Sequence, residues 1–411
     1  MDQVCLVIVS LCLCLVQVQQ VIAQLQSLTR LQEFGIGNID FGLQLQVPNT
    51  SALIEKEGFN SETHKAEAED GFLVHLSRIP SKGIPVLMNH GLFIASDAWL
   101  LRGRDKDLAF LLAESGYDVW MGDLRGNTYS STHKTLTQKD ALFWDFSVQE
   151  MGAYDLPASI DYILATTGHD SVIYIGHSLG SAMYFVMCSE RPEYRSKVRL
   201  MMGLAPAIYL QRSPGILFKI ARQYSRLYQE SISFRGPRQV FSRNQLRGAT
   251  ASLFCRSAPT QSICLVLLYY IAGLASLTDY SQVDKNLLPE FVRRLPTGTS
   301  PKTLQHLGQL SKSGRFCKFD YGPKENMRRY GTKSPPDYKL DSVTGPVAIY
   351  YGKGDILTHV QDIAEVTHKI PNLVRNFTVA NDKFNHMDFL WAKDAKQLVY
   401  DDMMKLMKLY T

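Results

Sequence analysis

The chain has 411 residues, 45% of them apolar and 20% charged, and a net charge of +5. That balance excludes a disordered, collagen-like or coiled-coil chain. So mild a basic excess does not point to nucleic-acid binding either. The length suits one large core with an inserted subdomain.

Val4 to Val16 reads VCLVIVSLCLCLV, interrupted only by Ser10. Such a run suits the apolar region of a signal peptide and is too short for a membrane span, which needs about 20 residues. Val21 and Ala23 stand where small or branched residues favour cleavage, so residues 1–23 are expected to be removed after Ala23. The start departs from the usual pattern in carrying Asp2 and no Lys or Arg in its first three residues. The expected location is secreted or lysosomal. Cys5, Cys12 and Cys14 would leave with this segment, and four cysteines would remain. A disulfide between Cys255 and Cys264 could close a short loop in an oxidising compartment. Cys188 reads as a small buried hydrophobe, and Cys317 has no assignment. No Cys/His cluster has zinc spacing, so neither metal nor cofactor is expected. The sequons at Asn49 and Asn376 are glycosylation candidates in a secreted chain.

Downstream, the Asp70-Gly71 turn before Phe72 to Ile79 predicts a hairpin. Short apolar strands then alternate with helical patterns. The strands are predicted at Pro85 to Asn89, Tyr117 to Gly122, Ser171 to Ile175 and Val198 to Leu204, the helices at Asp105 to Ser115 and Val148 to Ala165. This alternation predicts an α/β fold with a mostly parallel sheet covered on both faces. The rhythm stops near Pro206 and becomes irregular, and strands resume at Pro346 to Tyr351 and Val374 to Val379. A C-terminal helix is predicted from Asp388 to Leu409. The expected organisation is a core of residues 24–206 and 345–411 with a cap inserted at 207–344.

The strongest local signal is Gly176-His177-Ser178-Leu179-Gly180. A β-branched strand precedes it and a helical run follows. A serine on so tight a turn is held in a strained conformation with its hydroxyl exposed, and the glycines admit close packing. A plain strand–turn–helix joint would explain the glycines but not a serine at the apex. A serine nucleophile needs a base, and the base needs a carboxylate. In this architecture the partners follow in the order Ser, acid, His at the ends of later strands. His306 lies in the inserted segment, His359 is four residues past the best acid, and His368 falls in a helical pattern. That leaves His386 as base and Asp355 as acid, with Asp388 better suited to capping the final helix. The expected oxyanion donors are the N–H groups of Leu179 and of Leu92, in Asn89-His90-Gly91-Leu92. His90 reads as a support for that turn.

With these motifs in place the chain resembles the acid lipase family, which includes the gastric and lysosomal acid lipases. The likeness covers almost all of the chain after residue 23. It includes Glu69-Asp70-Gly71-Phe72, Asn89-His90-Gly91-Leu92, Arg125-Gly126-Asn127-Thr128, the serine turn, Gly352-Lys353-Gly354-Asp355 and Asn385-His386-Met387-Asp388-Phe389. The resemblance implies an α/β-hydrolase with a mainly helical cap and lid that hydrolyses long-chain acyl esters. It implies the triad Ser178, Asp355 and His386, oxyanion donors at Leu92 and Leu179, and the Cys255–Cys264 disulfide. The chain departs from the family in having Leu179 where Gln is usual and Asp123 where Asn is usual.

Residues 211–250 carry Arg212, Lys219, Arg222, Arg226, Arg235, Arg238, Arg243 and Arg247 against one acid, Glu230. They read either as a solvated surface or as a patch that approaches anionic lipid. Ile263 to Ala275 is nearly all apolar, a core helix or the lining of an acyl-chain cavity. The expected partner is a neutral lipid at a lipid–water interface, with no nucleic acid and no membrane span. No oligomeric state is indicated. Three functions compete: a serine esterase acting on triacylglycerol or sterol ester, a non-catalytic lipid-binding relative, and a different reaction on the same fold.

Overall fold

The computed structural model describes residues 47–215, 218–219, 239–256, 258–274 and 276–411. The expected signal peptide, with Cys5, Cys12 and Cys14, lies outside them, as do Arg222, Arg226, Glu230, Arg235, Arg238 and Ala275.

Nine strands form one sheet: β1 (Glu62–Glu67), β2 (Phe72–Ile79), β3 (Pro85–Asn89), β4 (Asp118–Gly122), β5 (Thr132–His133), β6 (Val172–His177), β7 (Val198–Leu204), β8 (Val347–Tyr351) and β9 (Leu373–Thr378). Their order is β1-β2-β4-β3-β6-β7-β8-β9, with β5 paired to β2. The pairings of β2 with β1, β4 and β5 are antiparallel. From β4 onward every pairing is parallel. Parallel strands need crossovers, and the alternation of strand and helix supplies them.

Both faces of the sheet are covered, and β3 shows why its run is continuously apolar. Val86 and Met88 enter one core cluster with the helix Leu108–Glu114 and the C-terminal helices. Leu87 enters the other, with the helices Leu156–Thr167 and Leu179–Glu190. The predicted hairpin forms at the Asp70-Gly71 turn, where Gly71 takes φ 91°.

Between β7 and β8 the chain leaves the sheet for an insertion that is more regular than its sequence suggests. It contains the helices Gln245–Arg256, Ala258–Ala272, Leu288–Arg294, Pro301–Ser313 and Pro323–Tyr330. Gln245–Arg256 includes Gly, Thr and Ser, poor helix formers. Tertiary contact compensates: Gly248 lets it approach Leu288–Arg294 closely, since a Cβ there would lie 2.5 Å from the Arg293 carbonyl oxygen. The disulfide Cys255–Cys264 ties it to Ala258–Ala272. Among the described residues no helix is long and apolar enough to cross a membrane, and no group of His, Cys, Asp and Glu could hold a metal ion.

Two expected helices are interrupted. Val148 to Ala165 begins with a capping box at Ser147 and Glu150, then loosens into a π turn at Met151–Asp155. The C-terminal helix breaks after Asp388–Trp391, because Ala392 pairs with Val283 and the Lys393 N–H donates to the Gln282 carbonyl. Contacts from the insertion thus replace helical hydrogen bonds.

Candidate active site

Because β3, β6, β7, β8 and β9 are parallel, their C-terminal ends open at one edge of the sheet. The register aligns Asn89 with Gly176, His177 with Leu204, Leu204 with Tyr350, and Tyr351 with Thr378. Ser178, Leu92, Asp355 and His386 all follow one of these ends within ten residues.

Ser178 has φ 54° and ψ −115°, a left-handed conformation that a non-glycine residue holds only when its surroundings enforce it. The flanking glycines make that enforcement possible. A Cβ on Gly176 would lie 2.6 Å from the Ser181 Cα, and one on Gly180 would lie 2.4 Å from the Asn89 carbonyl oxygen. The Ser178 N–H donates to the Leu204 carbonyl at 2.9 Å. As the first residue of its helix, Leu179 has no intrahelical acceptor for its N–H.

The loop after β3 lies directly on this turn, where a Cβ on Gly91 would sit 2.9 Å from Ser178 Cβ and 3.4 Å from its Oγ. His90 supports the loop as expected, and its tautomer follows from its partners. The Leu124 N–H donates to Nε2 at 3.2 Å, so Nδ1 carries the proton and donates to the Gly91 carbonyl at 2.8 Å. In a trans peptide, C=O and N–H point in opposite directions. Holding the Gly91 carbonyl toward His90 therefore turns the Leu92 N–H away from it.

Asp123, where the family resemblance expects Asn, is a buried hub beneath the same loop. Its carboxylate accepts from the Ser96 N–H at 2.9 Å, the Ser96 hydroxyl at 2.7 Å, His75 Nδ1 at 3.0 Å and the Asn127 amide at 2.8 Å. Burial pushes its pKa up, but the hydrogen bonds it accepts, that from His75 foremost, outweigh burial and hold it well below the usual range.

Asp355 and His386 meet across the ends of β8 and β9. His386 Nδ1 lies 2.9 Å from Asp355 Oδ2, and both side chains are buried. The other carboxylate oxygen accepts the N–H groups of Leu357 at 2.7 Å and Thr358 at 2.8 Å, while the Thr358 hydroxyl donates to Oδ2 at 2.6 Å. Burial would raise the Asp355 pKa, yet the His386 charge and these hydrogen bonds lower it below the usual value.

His386 is also fixed from two further sides. His177 Nε2 donates to its carbonyl oxygen at 3.0 Å, and the two imidazole centroids are 4.8 Å apart. The Met387 N–H donates to the Gly273 carbonyl at 2.9 Å, and a Cβ on Gly273 would come 2.8 Å from His386 Cβ. The end of the apolar helix Ala258–Ala272 thus packs on the loop that carries His386. That helix buries Cys264, Leu265 and Leu268 and exposes Ile263, Val266 and Ile271. Burial, and then the His386 charge beside it, lowers the His177 pKa to about 3, so that ring is neutral across the ordinary pH range. Ser178 Oγ and the His386 imidazole are not hydrogen-bonded to each other among the described residues. Such contacts commonly tighten only once substrate is bound.

Of the other residues singled out, Asp388 does not act as a cap of the kind expected. Its carboxylate accepts the Asn385 N–H at 2.8 Å, which closes the loop that carries His386. Arg212 pairs with Asp362 at 2.7 Å, and Arg243 is buried against Asp97 at 2.9 Å, which takes both out of any free basic patch. Cys188 and Cys317 are buried free thiols, with burial raising their pKa values to about 12 and 11. Thr358, His177 and Gly273 are additions. Thr358 had a readable signal, since Asp followed three positions later by Thr favours a local side-chain turn.

A sequence model of the alpha/beta hydrolase fold matches residues 84–393, and one of the partial alpha/beta-hydrolase lipase region matches residues 50–103. The chain belongs to the alpha/beta-hydrolase family, within its acid lipase branch, and is a carboxylic ester hydrolase. It is 37% identical to Lipase 1 of Drosophila melanogaster, over 86% of this chain and 78% of that one. It is 33% identical to gastric triacylglycerol lipase of Mus musculus, over 87% and 91% of the two chains. A crystal structure from Sulfolobus solfataricus matches with a TM-score of 0.58 at 14% identity, over 85% of this chain and 94% of that one. At that identity the match speaks for the fold alone.

Proposed function

We propose that this chain hydrolyses long-chain acyl esters, triacylglycerol or sterol ester, through the triad Ser178, His386 and Asp355. The observation that carries the reading is the buried Asp355–His386 hydrogen bond, docked through the His386 carbonyl onto the neighbour of a strained Ser178. With Nδ1–H donated to Asp355, the His386 Nε2 lone pair is left to take the serine proton. Ser178 Oγ then bonds to the ester carbon, and the carbonyl electrons move onto oxygen, where the N–H groups of Leu92 and Leu179 stabilise the charge. Collapse expels the alcohol, which receives the proton from His386. Water, deprotonated by the same imidazole, then releases the fatty acid and restores the serine. Asp355 stays ionised throughout and balances the imidazolium.

In this reading residues 207–344 form the cap, residues 24–206 and 345–411 the catalytic core, and residues 1–23 a signal peptide. The protein is then secreted or lysosomal and acts on neutral lipid at a lipid–water interface. Asn49 and Asn376, both exposed, carry glycans. The gastric relative's name supports a triacylglycerol substrate.

A fluorophosphonate probe should label the protein at Ser178. Ser178→Ala should abolish labelling and lower ester hydrolysis by about 10⁴-fold or more with the fold retained. Lipid uptake by the wild type with neither labelling nor hydrolysis would instead favour a lipid-binding relative.

A further inference from the structure

The loop that presents the Leu92 N–H is held at both ends, and the downstream hold comes from the insertion. Upstream, the His90 imidazole grips the Gly91 carbonyl. Downstream, the Thr297 N–H donates to the Phe93 carbonyl at 3.0 Å, and the Thr297 hydroxyl donates to the Ile94 carbonyl at 2.7 Å. Between these anchors Phe93 takes φ 64°, a left-handed conformation that a bulky residue adopts only under constraint. Thr297 is itself buried and immobilised: the Thr128 hydroxyl donates to its carbonyl at 3.1 Å, and Thr299, two residues on, bridges to Val240. Arg294, three residues earlier in the insertion, reaches Asp97 at 3.1 Å, farther along the same loop.

We propose that Thr297 is a positioning residue for ester hydrolysis: by fixing the Phe93 and Ile94 carbonyls it sets the aim of the Leu92 N–H at the developing oxyanion. It touches no reacting atom. The inference rests on the reading of Leu92 as an oxyanion donor. Its physical basis is that a donor preorganised toward the transition state helps only while its direction is held, and small misplacements are costly. It makes the insertion part of the oxyanion site, so any movement of this segment relative to the sheet alters catalysis as well as access.

The test is Thr297→Val, which keeps the N–H bond to Phe93 and removes the hydroxyl bond to Ile94, with Thr297→Ser as the rescuing variant. Hydrolysis of a soluble short-chain ester is measured per active site, counted by fluorophosphonate labelling. Thr297→Val should lower kcat about tenfold with KM within about twofold. Thr297→Ser should return kcat to within about twofold of wild type. A trifluoromethyl ketone, which forms a tetrahedral adduct, should lose affinity for the valine variant by the same factor as kcat/KM. A purely architectural role would reduce the number of labelled sites while leaving turnover per site unchanged, and that result overturns the proposal. If the valine variant does not fold, Thr128→Val at the exposed neighbour loosens the same segment and should lower kcat about threefold; unchanged turnover there also overturns it. A wild type that resists the probe would instead sink the proposed triad first, and this inference with it.

Discussion

Thr358 has no acid–base chemistry of its own, yet its hydroxyl lies 2.6 Å from the Asp355 oxygen that faces His386. Hydrogen bonds to a charged group contribute about 1.5–3 kcal/mol. Thr358→Val removes one of several on this carboxylate and keeps the side-chain shape. The Asp355 pKa should rise toward its ordinary value. With the carboxylate that balances the imidazolium less firmly held, kcat should fall about tenfold, since about 1.4 kcal/mol of lost stabilisation is tenfold in rate. An unchanged kcat would mean that the remaining hydrogen bonds hold Asp355 without the Thr358 hydroxyl. Ser178, Asp355 and His386, the proposed nucleophile, acid and base, stood out in the sequence because each sits in a short motif with its own local geometry. The grip of His177 on the His386 carbonyl was not, because it joins residues 209 positions apart.

At the scale of elements, Gly248 decides how closely two insertion helices approach. Alanine there would gain up to about 1 kcal/mol in helix propensity. Against that stands a Cβ 2.5 Å from the Arg293 carbonyl oxygen, a backbone atom that cannot rotate away. Overpacking of this kind costs about 1–3 kcal/mol, so the clash should win. Gly248→Ala is expected to lower the denaturant midpoint, and a higher midpoint would show that the helices separate at no cost. Helix propensity reads Gln245–Arg256 as poor because its stability resides in this contact and in the disulfide. The C-terminal run fails in the opposite sense: its sequence favours a continuous helix, but Gln282 and Val283 claim the backbone of Lys393 and Ala392.

Over the whole molecule, buried neutral histidines make stability depend on pH. His306, in the helix Pro301–Ser313, places Nδ1 3.0 Å from the Ser147 hydroxyl and donates from Nε2 to the Cys317 carbonyl at 2.9 Å. Burial, with Lys302 nearby, lowers its pKa to about 4, and burial lowers that of His177 to about 3. Below about pH 6.5 the unfolded chain binds protons that the native state refuses, so stability falls as pH drops toward these values. Each such group contributes a slope of at most about 1.4 kcal/mol per pH unit. His306→Gln should be less stable than wild type at pH 7, but the gap should narrow between pH 6.5 and 4 in urea unfolding. A constant gap would show that His306 titrates as it does in the unfolded chain.

The sequence alone determined the alternation of strands and helices, the strained serine turn, and the short motifs after strand ends that carry the proposed acid, base and backbone donor. Each single strand, turn or motif among these is written within about ten consecutive residues, where periodicity, glycine and turn chemistry act locally. Only the tertiary structure decided that a threonine from the insertion steadies the Leu92 loop, that the end of an apolar helix packs on the His386 loop, and that Arg243 is buried against Asp97. Those contacts join positions more than a hundred residues apart. They exist because parallel crossovers bring the strand ends to one edge and the insertion folds back upon it, a geometry that no local pattern encodes.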